Sequence, residues 1–208
     1  MIVMESKETL RLNELNNSIK NCKKCKLYQN RKNAVTGYGN IKAKIMFIGE
    51  APGRNEDIQG KPFVGSAGKL LDYLLNKIGL KRDEVYITNV VKCRPPNNRT
   101  PLKEEIEACI PYLKEEIDII KPEIIVALGR TSGEALSLIS NQKWEGIEKE
   151  RGIMKEIEYN NMKIKIMSTY HPAAALYRPE IKNKLEQDFE KINNISKERK
   201  GKNLLDFI

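Results

Sequence analysis

The groups in this chain that point to chemistry are two carboxylates, one imidazole and four thiols. Glu50 and Glu56 lie in the run Gly49-Glu-Ala-Pro-Gly-Arg-Asn-Glu-Asp57, directly after an apolar stretch at 44–48. Glycines let a backbone approach a ligand closely, and Pro52 stiffens the turn. A strand that runs into such an acidic, Gly-rich segment predicts a ligand-holding loop, because catalytic groups gather on loops at the carboxyl ends of parallel strands. The sole histidine, His171, stands in Ser168-Thr-Tyr-His-Pro-Ala-Ala-Ala-Leu-Tyr-Arg178. Pro172 stops the strand expected before it, so His171 and the loop at 49–57 are expected at one rim of a sheet. Between them, Lys61-Pro-Phe-Val-Gly65 offers an aromatic ring, expected to be exposed, on a Gly-flanked turn.

Cys22 and Cys25 form a C-x2-C pair, and Cys93 and Cys109 follow far downstream. Cys93 comes after a predicted strand and Cys109 on the helix beyond a Pro-rich loop, so both are expected at one pocket. Four cysteines without a secretory context suggest ligation rather than disulfides. Four thiolates suit structural zinc or an iron–sulfur cluster. Lys23, Lys24, Lys26 and Arg94 are placed to offset the charge of an anionic cluster.

The elements that must position these groups follow from periodicity. Apolar runs at 44–48, 85–91, 124–128 and 164–168 read as strands, and 69–78, 104–120 and 132–139 carry apolar residues at helical spacing. A helix at 7–19 precedes the first cysteines, and a basic helix at 182–200 closes the domain. Strands separated by helices predict an α/β fold, a three-layer α/β/α sandwich with a parallel sheet. The segment at 93–101 holds three prolines, which exclude regular structure there. One domain over 1–200 is expected, followed by a detached tail at 201–208. No apolar run reaches the ~20 residues of a membrane helix, and no basic-then-apolar leader opens the chain, so a cytoplasmic location without membrane attachment is expected. The formal net charge of +9 favours polyanionic partners. The G-x4-G spacing at 60–65 lacks the Lys-Ser/Thr of a phosphate loop, and Ser66 reads instead as the cap of a helix.

Taken in order, Cys22-x2-Cys25, the loop at 49–57, Gly60-Lys-Pro-Phe-Val-Gly65, Tyr86-Ile-Thr-Asn-Val-Val-Lys-Cys-Arg-Pro-Pro96 and Tyr170-His-Pro-Ala173 resemble the family 4 uracil-DNA glycosylases, the iron–sulfur branch of their superfamily. The resemblance covers most of the chain. It implies a four-stranded parallel sheet, removal of uracil from DNA to leave an abasic site for base excision repair, and a [4Fe–4S] cluster on Cys22, Cys25, Cys93 and Cys109. It makes Phe63 the surface on which the flipped base stacks, Asn89 the reader of the uracil edge, and His171 the donor to uracil O2, with backbone of Gly49–Ala51 lining the pocket. Family 1 enzymes place a water-orienting aspartate where this chain has Ala51. That leaves Glu50 and Glu56 for the task, with Glu50 favoured and Glu56 the alternative or a structural acceptor.

For the DNA, Ala173–Arg178 resembles the superfamily's minor-groove insertion loop, which makes Leu176 or Tyr177 the expected wedge into the gap left by the base. Arg94, Asn98, Arg99 and Arg178 are the expected backbone contacts. The segment at 95–99 carries no histidine, unlike a relative branch that traps uracil-DNA covalently, so turnover is expected. The tail Gly201-Lys-Asn-Leu-Leu-Asp-Phe-Ile208 resembles a sliding-clamp-binding peptide through Leu204, Phe207 and Ile208, with Gly201 where the usual glutamine stands. Nothing in the chain demands more than a monomer.

Overall fold

The computed structural model describes residues 6–205. Its strands are β1 (Tyr38–Gly39), β2 (Ile45–Gly49), β3 (Tyr86–Asn89), β4 (Ile124–Leu128), β5 (Met154–Tyr159) and β6 (Met162–Thr169). Its helices are α1 (Lys7–Lys20), α2 (Arg54–Gln59), α3 (Ser66–Lys77), α4 (Lys103–Ile120), α5 (Arg130–Ser140), α6 (Ile147–Glu150), α7 (Pro172–Ala175) and α8 (Pro179–Leu205). The strands form one sheet in the order β1-β3-β2-β4-β6-β5. The central four run parallel, as expected from the apolar strands separated by helices. The sheet has six strands rather than four, because β1 and β5 add antiparallel edges.

Pleating splits each central strand between two cores. In β2, Met46 and Ile48 face a core with Ile19 of α1 and Leu113 and Ile117 of α4. Ile45 and Phe47 face the other, with Leu71, Leu74 and Leu75 of α3 and Leu185 and Phe189 of α8. Phe47 stacks on Phe189 with ring centres 5.5 Å apart, which fastens α8 to the sheet. Helices thus cover both faces, and the near-continuous apolar strands follow from that burial.

The loop expected over 49–57 is half helix: α2 begins at Arg54, and Glu56 at its third position accepts the Gly53 amide in a capping-box arrangement. Gly65, not Ser66, caps α3. The Pro-rich segment contains a single 3-10 turn, Pro96–Asn98, with Asn97 and Asn98 in the left-handed region. Helix α8 continues through Gly201 to Leu205, so the expected break after residue 200 is absent. Leu204 lies in that helix, while Phe207 and Ile208 lie outside the described residues. Among the described residues no helix is long and apolar enough to cross a membrane.

Candidate active site

The carboxyl ends of the parallel strands surround a cavity of about 390 Å³. Glu50, Ala51, Pro52, Gly53 and Glu56 line it after β2, Asn89 ends β3, Leu128 ends β4 with Gly129 after it, and His171 follows β6. Phe63, Pro95, Asn98, Arg99 and Arg130 complete much of the wall. Segments far apart in sequence therefore meet at one rim of the sheet, where α/β folds bind ligands.

Asn89 is 2% exposed, yet its side-chain amide makes no hydrogen bond among the described residues. An amide left uncommitted at a cavity wall is available to hydrogen-bond a ligand there. Its backbone is fixed, because Lys92 Nζ donates to the Asn89 carbonyl at 2.8 Å. Phe63 was expected to be exposed, but it is buried. Its ring packs into the core beneath the cavity and stacks on His171 with centres 5.5 Å apart. Gly49 is required between them: a methyl group there would stand 2.3 Å from Asn89 Oδ1 and 2.6 Å from the Phe63 ring.

His171 caps α7, its Nδ1 accepting the Ala173 amide at 3.1 Å. That bond assigns the proton of the neutral ring to Nε2. The surface of His171 is only partly covered, but the dense packing around its ring disfavours the charged form and lowers its pKa to about 4, against a smaller opposing pull from Glu56. The imidazole is neutral near pH 7 and offers one donor.

Glu50 and Glu56 are committed differently. Glu56 Oε1 accepts the amides of Val64 and Gly65 at 2.9 and 2.8 Å, and Oε2 accepts Gly53 at 3.1 Å. Its carboxylate organises the turn that carries Phe63. Glu50 accepts one bond, from Thr131 Oγ1 to Oε2 at 2.5 Å, which leaves Oε1 without a protein donor among the described residues. The Val91 amide donates to the Glu50 carbonyl at 3.0 Å and fixes its backbone.

The expected DNA contacts divide likewise. Tyr177 is 90% exposed and Leu176 borders it at the end of α7. Arg178 is also exposed. Arg94 Nε donates to Asn98 Oδ1 at 2.7 Å. Arg99 is committed in part: it forms a two-pronged pair with Glu105 at 2.8 and 2.7 Å, and Glu105 also receives the Leu102 amide at the start of α4.

The Uracil DNA glycosylase superfamily profile matches residues 36–195. A type-4 uracil-DNA glycosylase of Saccharolobus solfataricus is 58% identical over 84% of this chain and 81% of its own. Those of Sulfurisphaera tokodaii and Archaeoglobus fulgidus are 53% and 47% identical, over 89% and 88% of this chain and 84% and 92% of theirs. The chain belongs to the type-4 uracil-DNA glycosylases.

In this glycosylase all four cysteines line one small enclosed space, with Ile19, Lys92 and Tyr112 beside them. Among the described residues no three Cys, His, Asp or Glu side chains draw together tightly enough to hold a single metal ion. Burial pushes the Cys109 thiol up to about 12 and raises Cys25 and Cys93 as well. Opposing this, Arg31 Nη1 donates to Cys93 Sγ at 3.0 Å, and the Lys24 amide points at Cys22 Sγ at 3.4 Å. Arg31 is the cation that touches a thiol; Lys24 lies instead over the Tyr112 ring.

Sequence reasoning passed over Thr131, Arg31, Lys92, Glu116 and Arg82. Thr131 and Arg31 reach their partners across the fold, and Glu116 pairs with Lys92 across 24 positions. The one legible signal was a lysine directly after an apolar strand run, since a buried Lys demands an acidic partner.

Proposed function

We propose that the cavity receives a uracil flipped out of DNA and that the groups lining it read the base and stabilise its departure. Hydrolysis of the N-glycosidic bond of deoxyuridine, leaving an abasic site for base excision repair, is the activity of the family to which the chain belongs. The observation that carries the residue-level reading is the uncommitted amide of Asn89 at a cavity it shares with Phe63, Glu50 and His171.

Extruding a base costs a few kcal/mol. Stacking on Phe63 offsets part of that, at ~1–3 kcal/mol per base. His171 packs against the Phe63 ring, and its Nδ1 bond to the Ala173 amide holds Nε2–H in place for the base edge. Asn89 pairs with uracil O4 and N3–H, a donor and acceptor order that cytosine reverses. As the bond breaks, negative charge grows on uracil, and His171 Nε2–H donates to O2. A preorganised donor of this kind is worth ~3 kcal/mol. Glu50, held by Thr131 on one oxygen, orients water with the other and faces the positive charge on the sugar. Glu56 shapes the pocket through the amides it binds. Tyr177, with Leu176, fills the gap in the duplex, and Arg178, Arg94 and Asn98 meet the backbone.

The thiol set fits the [4Fe–4S] cluster of this family. A zinc ion at ~2.3 Å from each sulfur would draw all four thiols within ~4 Å of one another; donors spread around one space suit a larger group. Cys22, Cys25, Cys93 and Cys109 would hold it, joining α1's end, the loop after β3 and α4 beside the pocket. When bound, the cluster supplies a covalent cross-brace. Iron content and visible absorbance of the purified protein, lost in Cys109→Ala, test this assignment.

For the tail, Leu204, Phe207 and Ile208 are read as a sliding-clamp contact. A chain ending at Lys200 then loses capture by the clamp and keeps excision.

The decisive experiment is excision from an oligonucleotide with one uracil, scored as an alkali-labile site. The intact protein cleaves it. Asn89→Ala and His171→Ala fall ~100-fold or more, and Glu50→Gln falls further than Glu56→Gln once folding is matched. Full activity in all four variants overturns the residue roles.

A further inference from the structure

Phe63 sits in a backbone conformation that a bulky aromatic rarely adopts, with φ of 53°. Such a residue persists only where its surroundings over-determine it. Two groups grip its turn from opposite sides. Glu56 takes the amides of Val64 and Gly65. Arg82, in the loop between α3 and β3, takes the carbonyls: Nη1 donates to Phe63 O at 2.8 Å and Nη2 donates to Pro62 O. Gly68 of α3 permits the close approach, since a Cβ there would stand 1.8 Å from the Phe63 carbonyl oxygen.

Arg82 is itself held. Asp72 on α3 accepts from Nη1 at 2.9 Å, and the guanidinium lies 5.7 Å from the centre of the Tyr38 ring. Neither Arg82 nor Asp72 lines the cavity. A planar guanidinium spans two consecutive carbonyls, whereas a lysine ammonium is a point donor on a flexible stem. As an ordinary ion pair with Asp72, with Arg82 a quarter exposed, the contact would contribute little. Its two carbonyl bonds give it another role.

We propose that Arg82 is a positioning residue for base recognition: it clamps the Pro62 and Phe63 carbonyls and so holds the Phe63 ring against the pocket. Arg82 touches neither the base nor the reacting atoms. It acts through Phe63, so the inference rests on Phe63 being the stacking surface.

The test is a double-mutant cycle on single-turnover excision of uracil, with thermal melting measured beside it. Arg82→Gln is expected to lower kcat/KM by ~10–100-fold, the scale of a small misplacement at a site. Arg82→Lys recovers part of the loss. In a Phe63→Ala background the same Arg82→Gln change costs less than ~2-fold, because the ring it positions is gone. Asp72→Asn, which loosens the guanidinium without removing it, gives a smaller loss that also vanishes with Phe63→Ala and keeps the test open should Arg82→Gln fail to fold. Equal losses in both backgrounds, or unchanged activity in Arg82→Gln, overturn the proposal while leaving Phe63 as the stacking surface. Full activity in Phe63→Ala alone overturns the stacking reading, and the proposal with it.

Discussion

Lys92 and Glu116 form an ion pair sealed from solvent, Nζ to Oε2 at 2.6 Å with side chains 2% and 0% exposed. Lys92 Nζ also donates to Thr88 Oγ1 and to the Asn89 carbonyl, and Glu116 also accepts from Tyr86 and Thr88. Every polar atom of the pair has a partner, which is the condition for burying two charges. The pair joins the end of β3 to α4, the helix that carries Cys109. Removing one partner strands a charge, at ~3–5 kcal/mol. Lys92→Met is expected to lower the melting temperature by roughly 10 °C. Lys92→Met with Glu116→Leu, which replaces both charges by apolar groups, recovers most of the loss. A double variant no more stable than the single one would contradict this account.

Gly49 tests the pocket separately from the fold. Its α-carbon faces the space between Asn89 Oδ1 and the Phe63 ring, at the last residue pair of the β2–β3 ladder. Its own backbone is in a strand, so Gly49→Ala demands no unusual dihedral. The added methyl instead pushes the Asn89 and Phe63 side chains apart. Excision is expected to fall ~100-fold, the cost of misplacement by about an ångström, with the helical circular dichroism spectrum unchanged. Comparison of excision rate with melting temperature checks this: activity lost in proportion to stability would point to a packing defect instead.

The central sheet and the site were legible for the same reason. Strands buried on both faces read as unbroken apolar runs, and their carboxyl ends, at Gly49-Glu50, Asn89 and His171, broke that pattern. Strand β5 escaped notice because it is an edge with no apolar run: Glu156 and Glu158 alternate with Ile157 and Tyr159. The Asn160-Asn161 turn, left-handed at both residues, was the available hairpin signal. The burial of Phe63 could not be read from Pro62 and Gly65, because it depends on Arg82 and Glu56 closing on its turn from elsewhere in the chain. Likewise, the pairing of Arg99 with Glu105 could not be read from the Pro-rich segment.

The thiol centre predicts a response to a change that touches no cysteine. Arg31 Nη1 donates to Cys93 Sγ, while Nη2 donates to the Lys20 carbonyl at 2.6 Å, tying the end of α1 to the thiol. Burial is the largest influence raising the Cys93 pKa, with Cys25 and Cys22 adding to it, and Arg31 is the opposing influence. Arg31→Gln removes the cation that favours thiolate, and ligation requires thiolate. Iron content per chain and resistance to a chelator are expected to fall together in this variant, with excision lost only in proportion to iron. Unchanged iron retention would show that the guanidinium serves α1 alone.

The single histidine makes the last prediction clean, since one imidazole reports one site. Its pKa in the fold, about 4, lies below the ordinary 6.5. Between these values the unfolded chain binds the proton that the folded chain refuses. The stability His171 contributes is therefore full above pH 6.5 and falls as the pH drops from 6.5 towards 4. Other acids titrate nearby, so the measurable quantity is the difference in unfolding free energy between the protein and His171→Gln, which loses this dependence. Protonation would also set Nδ1–H against the Ala173 amide, two donors facing each other, and undo the cap of α7. The imidazole resonances are accordingly expected to stay flat through pH 6.5 and to move near pH 4, and the acid limb of excision that belongs to His171 is displaced to the same range. An inflection of both near 6.5 would show an imidazole open to water, and the neutral Nε2–H donor assigned to it would fail.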